Sequence, residues 1–180
     1  MDKKILFVDL DGTLLTDTKE ITPENKAAIQ KAVQQGHAVV VTTGRPIAST
    51  LGQLKKLGLT EKGCYAITSN GAHILDAYTE ETIFYKGVHR NCIREAFDYA
   101  FQCHIHPQTY NAEGVLCERD CPEMQYYSKM NAIHYRVVQN VVDELKQDPV
   151  KILFVELQDK KRLEYFRDSM KEWLEKNELD

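Results

Sequence analysis

The sequence predicts an α/β fold: a doubly wound parallel sheet followed by a smaller α+β module. Two apolar runs, residues 5–8 and 38–41, show no polar alternation. That is the pattern of strands buried on both faces of a parallel sheet. Each run is followed by an amphipathic helical segment, and a third short strand comes after the second. A strand–helix–strand–helix–strand order gives a parallel, Rossmann-like sheet with right-handed crossovers. From Glu81 onward, short strands and helices intermix, which suits an α+β module.

The first strand ends at Asp9, and Asp11 lies two residues further on. In open α/β sheets ligands bind at the carboxyl ends of the strands. A spacing of two lets both carboxylates face one small pocket. A divalent cation is the natural reason to place them there. Gly12 lets the chain leave the strand in a conformation that a larger residue resists.

The next helix is marked by Thr22 as cap, Pro23 at its first position and Gly36 near its end. Ala28, Ile29, Ala32 and Val33 form its apolar face. The second strand stops at Thr42, Thr43, Gly44 and Arg45. A hydroxyl and a backbone turn at a strand end suit an oxyanion. A helix follows from Pro46 to Gly58, with Ile47, Leu51, Leu54 and Leu57 as its stripe. The third strand, residues 65–68, leads into Ser69, Asn70 and Gly71. Asn-Gly is first of all a hairpin signal, with residues 72–75 as the return strand.

In the second part, residues 82–85 read as a strand. Ile93, Ala96, Phe97, Ala100 and Phe101 form a helical stripe. Strands are expected at 106–110, 115–118 and 151–157, and short helices at 122–130 and 141–147. Asp159 caps a last helix with Leu163, Phe166, Met170, Trp173 and Leu174 inward. Cys103, His104 and His106 lack a second ligand pair for structural zinc. Cys117 and Cys121 read as packing residues.

The net charge of −4 offers no basic field for nucleic acid. No stretch approaches the length of a membrane span. The N-terminus enters a core strand directly, so no signal peptide is expected. Five cysteines without a Cys-x-x-Cys pair favour reduced thiols and a cytoplasmic protein.

The run Asp9-Leu10-Asp11-Gly12-Thr13-Leu14 resembles the first motif of the haloacid dehalogenase-like phosphohydrolases. Thr43 matches the Thr or Ser that ends the family's second motif. Thr43-Gly44-Arg45-Pro46 and Asn70-Gly71-Ala72 look like the Cof-type branch. The resemblance implies a core domain at 1–81 and a cap domain at 82–180 that selects the substrate. It implies a magnesium-dependent phosphatase of small phosphorylated metabolites. Asp9 would be the nucleophile and Asp11 the general acid and base, with Mg2+ held at Asp9 and Asp11. Gly12, Thr43, Gly44, Arg45 and Asn70 would bind the phosphate or the substrate. Asn70 is equally well read as a turn residue alone, and Arg45 as a helix-entry residue in a surface ion pair.

The family also uses a lysine after the cap and a Gly-Asp loop, and no Gly-Asp dipeptide occurs in this chain. The resemblance therefore implies that only the N-terminal part of the family pattern is covered. Two alternatives follow: a catalytically silent chain that binds phosphate or magnesium weakly, and a generic nucleotide-binding domain. The lack of Gly-x-Gly-x-x-Gly after the first strand counts against the second. In the family's strand order the first strand is central. With the later strands missing it becomes an edge, which predicts a homodimer, a segment swap or marginal stability.

Overall fold

The computed structural model describes residues 2–16, 18 and 20–179. The chain divides into two compact units, Met1–Lys86 and Gly87–Asp180. The first contains β1 (Ile5–Asp9), α1 (Pro23–Gln34), β2 (Ala38–Thr42), α2 (Ile47–Leu57), β3 (Cys64–Thr68), β4 (His73–Asp76) and β5 (Thr82–Tyr85). Its sheet has the order β1-β2-β3-β4-β5. The first three strands are parallel, and β4 and β5 continue the sheet antiparallel. The sequence places the end of this part at residue 81. The structure instead pairs β5 with β4, so the division falls after Lys86.

Local chemistry accounts for the elements. Thr22 caps α1 by accepting the Asn25 amide at 3.2 Å, and Pro23 fills a first-turn position where no donor is needed. Gly58 ends α2 in the left-handed region at φ 70°. The Asn-Gly signal makes a tight turn at Ser69–Gly71, and β4 returns along β3.

Ile29 of α1 and Leu54 and Leu57 of α2 pack with Val39, Val41, Cys64 and Ala66 in one cluster. Register puts Leu6 and Val8 on that same face, beside Val39 and Val41. Both helices therefore cover one face of the sheet. Ile5 and Phe7 alternate to the other face, at 62% and 61% exposure. The expectation that the first strand is buried on both faces fails: among the described residues β1 is an outer strand that pairs with β2 alone. The exposed edge expected from the family's strand order is present.

The second unit contains α3 (Arg90–Gln102), β6 (His106–Tyr110), β7 (Val115–Cys117), α4 (Pro122–Asn131), β8 (Tyr135–Val137), α5 (Val141–Glu144), β9 (Ile152–Val155), α6 (Lys160–Ser169) and α7 (Lys171–Lys176). Its sheet has the order β8-β7-β6-β9. On one face, Ile93, Phe97 and Ala100 of α3 and Phe166 of α6 pack on Leu116, Ile152 and Phe154. On the other face Met124 of α4 packs on Tyr110, Val115 and Cys117. This sandwich buries all five residues of β6. The sequence reading missed β8, since three residues are too short to show alternation. The expected last helix breaks at Met170 into α6 and α7. Among the described residues no helix is long and apolar enough to cross a membrane.

Candidate active site

Asp9 is the last residue of β1 and stands in register with Thr42 of β2. Its backbone carbonyl accepts the Leu14 amide at 3.2 Å, and the Leu10 carbonyl accepts the Leu15 amide at 2.9 Å. These bonds fold residues 10–15 back onto the strand end. Leu10, Leu14 and Leu15 are buried and anchor that turn in the core. Gly12 makes the turn possible at φ 77°, a region that L side chains resist. The turn thus leaves the Asp9 carboxylate exposed at the carboxyl edge of the sheet. Among the described residues it has no hydrogen-bond or ion-pair partner.

Asp11 has a different environment. Arg45 Nε donates to Asp11 Oδ2 at 2.7 Å, and Arg45 Nη2 donates to Asp11 Oδ1 at 2.6 Å. The paired fork and carboxylate geometry makes this a strong charge-assisted contact. The Arg45 side chain is 13% exposed and that of Asp11 37%.

The loop after β2 is held by backbone bonds to β3. The Thr43 amide donates to the Ile67 carbonyl at 2.9 Å, and the Ser69 amide donates to the Arg45 carbonyl at 3.0 Å. Thr43 is buried, and its hydroxyl accepts the Arg45 amide at 3.1 Å. Accepting there leaves the hydroxyl proton able to donate elsewhere. Asn70 adopts φ 57° and ψ 33°, the left-handed turn conformation. Its side chain lies against Gly44: a Cβ on Gly44 would meet Asn70 Oδ1 at 2.7 Å. Any larger residue at Gly44 would have to displace the exposed Asn70 side chain.

The structure brings Asp11, Thr43, Gly44, Arg45 and Asn70 together through these contacts and places Asp9 and Gly12 at the same strand edge. The sequence reading missed one group, the Ser69 hydroxyl. It is buried, carried by a residue at φ 51°, and its Oγ has no partner. A serine directly after a strand and before Asn-Gly was the available signal.

The donor chemistry suits a hard cation only in part. Asp9 offers one unpartnered carboxylate, whereas the Asp11 carboxylate is engaged by Arg45. Among the described residues no group of three or more His, Cys, Asp or Glu could hold a metal ion. Magnesium suits such a sparse set, because it keeps several waters and takes one or two carboxylates plus substrate phosphate.

A family model described as haloacid dehalogenase-like hydrolase matches residues 6–178. The chain belongs to this family. A Streptococcus pyogenes protein provisionally named a phosphatase is 48% identical over 83 residues, 46% of this chain and 31% of its own length. YxeH of Bacillus subtilis, also provisionally named a phosphatase, is 28% identical over 159 residues, 85% of this chain and 57% of its own. A haloacid dehalogenase-like hydrolase from Bacteroides thetaiotaomicron superposes with a TM-score of 0.89 at 22% identity, covering 98% of this chain and 66% of that one. The chain thus spans from under a third to about two thirds of the relatives it matches. Fold and membership mark it as a chain of the haloacid dehalogenase-like hydrolase family.

Proposed function

We propose that this haloacid dehalogenase-like chain carries the nucleophile half of a magnesium-dependent phosphomonoesterase acting on small phosphorylated metabolites. The observation that carries this reading is the unpartnered Asp9 carboxylate at the end of β1, on the sheet edge that also presents the Thr43 hydroxyl. Asp9 attacks phosphorus, and the bond to the leaving oxygen breaks. Asp11 supplies the proton for the leaving alkoxide. The product is an aspartyl-phosphate on Asp9. Asp11 then takes a proton from water, which attacks phosphorus and releases inorganic phosphate and Asp9. Thr43 donates to a phosphoryl oxygen, and the turn at Gly12 brings backbone amides to the same group. Arg45, which holds Asp11, and Asn70, which lies against Gly44, are the further candidate contacts to the phosphate. Bound magnesium would offset the repulsion between the Asp9 carboxylate and the phosphate dianion. Asp9 and the Asp11 carbonyl would hold it, weakly, given so few donors.

The substrate class rests on relatives. YcsE of Bacillus subtilis, named as a 5-amino-6-(5-phospho-D-ribitylamino)uracil phosphatase, is 38% identical over 77 residues, 43% of this chain. The second unit has the α+β make-up expected of a substrate-selecting cap. A cytoplasmic, metabolite-directed role fits the free thiols.

The alternative is a chain that binds phosphate or magnesium without turnover. Phosphate release from p-nitrophenyl phosphate with magnesium separates the two. Turnover that disappears in Asp9→Asn, with an unchanged circular dichroism spectrum, supports hydrolysis. No turnover in the native chain, with phosphate still bound, establishes the silent reading. Full activity in Asp9→Asn removes the mechanism.

A further inference from the structure

The free edge of β1 complements itself. The Lys4 carbonyl accepts the Ala38 amide at 2.9 Å, and the Leu10 amide donates to the Thr42 carbonyl at 3.1 Å. The Lys4 amide also donates to His37 Nδ1 at 3.3 Å. Even-numbered residues of this stretch therefore turn their backbone groups toward β2. Successive residues of a strand turn them to opposite sides, so Ile5, Phe7 and Asp9 aim theirs at the open edge. Among the described residues no strand pairs there. Such a row of unpaired amides and carbonyls is a template for another strand.

The side chains select which strand. Ile5 and Phe7 stand exposed on the face opposite both helices. Lys3 precedes them and Asp9 follows them on the same alternation, and both are exposed. Among the described residues neither the Lys3 ammonium nor the Asp9 carboxylate has an ion-pair partner. One face of the edge thus reads cation, apolar, apolar, anion.

Across a two-fold axis residue i of one copy faces residue j of the other, and j faces i. With the axis at Leu6, an antiparallel copy sets Lys3 opposite Asp9 and Ile5 opposite Phe7, each twice. These opposed residues share a face, and their edge-facing backbone groups meet as hydrogen-bonded pairs. Moving the axis to Phe7 sets Asp9 against Ile5, and moving it to Ile5 sets Lys3 against Phe7. Either shift puts a charge against an apolar side chain, so the Leu6 register is the matched one. The Asp9 carbonyl is already held by the Leu14 amide. The ladder therefore rests on Ile5 and Phe7 and, at Asp9, on its amide alone.

We propose that a second copy of this chain adds to β1 in the Leu6 register, and that the partner's Lys3 thereby stands beside Asp9 in the candidate active site. Opposed Cβ atoms in such a pair lie about 4.5–5.5 Å apart, within reach of a lysine side chain. The ammonium supplies a positive charge that Asp9 lacks within its own chain and offsets the repulsion between that carboxylate and a phosphate dianion. The role of Lys3 rests on the reading of Asp9 as nucleophile, and the register does not.

Sedimentation of the native chain tests the dimer, and cysteine cross-linking tests its register. The native chain dimerises, and less tightly as salt rises. Leu6→Cys sits at the axis with Cα atoms about 4.5 Å apart and forms an intermolecular disulfide under mild oxidation. Phe7→Cys lies diagonal to its own copy, about 7–8 Å away, and does not. The native chain, with its own free cysteines, is the control. Lys3→Glu weakens dimerisation about tenfold, because both symmetric pairs pass from attraction to repulsion, and adding Asp9→Lys restores it. For Lys3 at the site, mixing Lys3→Gln with Asp9→Asn chains raises p-nitrophenyl phosphate turnover above the sum of the two, since one site of each mixed dimer regains both native groups. In a chain without turnover, which fails the phosphatase reading alone, the readout is phosphate affinity by calorimetry, which Lys3→Gln lowers. A native chain that stays monomeric to about 100 μM overturns the proposal and leaves the edge to a different polypeptide. So does a dimer that cross-links through Phe7→Cys and not Leu6→Cys, or one that Lys3→Glu leaves unchanged. A cross-linked dimer whose mixtures gain no turnover, or whose phosphate affinity ignores Lys3→Gln, overturns the role of Lys3.

Discussion

Breaking the Arg45–Asp11 pair tests the geometry of the candidate site directly. The perturbation is a double-mutant cycle of Arg45→Gln, Asp11→Asn and the combined variant. Two short bonds, 2.7 and 2.6 Å, join the groups in a paired fork. In a buried setting each hydrogen bond to a charged group is worth about 1.5–3 kcal/mol. Fully exposed ion pairs contribute only about 0.2–1 kcal/mol. Arg45 is nearly buried but the Asp11 side chain is 37% exposed, so solvent screening discounts the larger value. The expected coupling is about 1–1.5 kcal/mol, read from urea denaturation of the four chains. Each single variant loses about 1–2 kcal/mol of stability. Arg45→Gln also weakens phosphate binding, because the guanidinium is removed from the oxyanion's neighbourhood. A coupling below about 0.3 kcal/mol, the limit of simple additivity, refutes the reasoning. The pair would then not hold Asp11 in solution.

Gly44→Ala pushes a Cβ into Asn70 Oδ1 and displaces that exposed side chain. Phosphate affinity falls while stability changes by at most about 1 kcal/mol, Asn70→Ala reproduces the loss, and the pair of changes adds nothing; additive losses in calorimetry would separate the two residues. At the outer strand the native chain self-associates in light scattering, and Phe7→Glu suppresses this with stability within about 0.5 kcal/mol, since Phe7 is exposed already. A native chain that stays monomeric at every concentration, with a sharp high-temperature melt, counts against that account. Burial holds the His106 pKa below 6.5 in the folded chain, so the unfolded chain binds the proton more readily. Stability is therefore full above the unfolded value and falls as pH drops from about 6.5 through the folded pKa. His106→Gln flattens this slope in thermal melts at graded pH, leaving the share of His73, which burial also lowers; an unchanged slope means that His106 does not titrate there.

Much of the fold was legible because its signals are local. Pro23 after Thr22, Gly58 after the Leu54–Leu57 stripe, and Asn70-Gly71 between apolar runs each depend on a few neighbouring dihedrals and donors. The helical stripe from Ile93 to Phe101 became the buried face of α3 for the same reason. The candidate site was legible as a set of strand ends: Asp9 after β1, Thr43 after β2 and Asn70 after β3.

Other features depended on contacts that sequence spacing does not encode. Residues 5–8 read as doubly buried because periodicity reports apolar content and not the presence of neighbours. Burial of Ile5 and Phe7 needs partners on a second face, and the sheet order leaves β1 outermost with both helices on the opposite side. The run 82–85 carried no mark of which sheet it joins, and its pairing with β4 is a long-range choice. The sequence left Arg45 open between phosphate ligand and surface pair, and gave no sign that Asp11 lies within 2.6 Å of it. The Cys121–His106 pair joins a helix cap to a strand start 15 residues away, and neither residue signals the other. By itself, the sequence determined which residue types stand at which strand and helix ends, because those choices are made by local backbone chemistry. Only the tertiary structure decided which faces stay open, which carboxylate is held by an arginine and which is left bare, because those outcomes are set by what packs alongside.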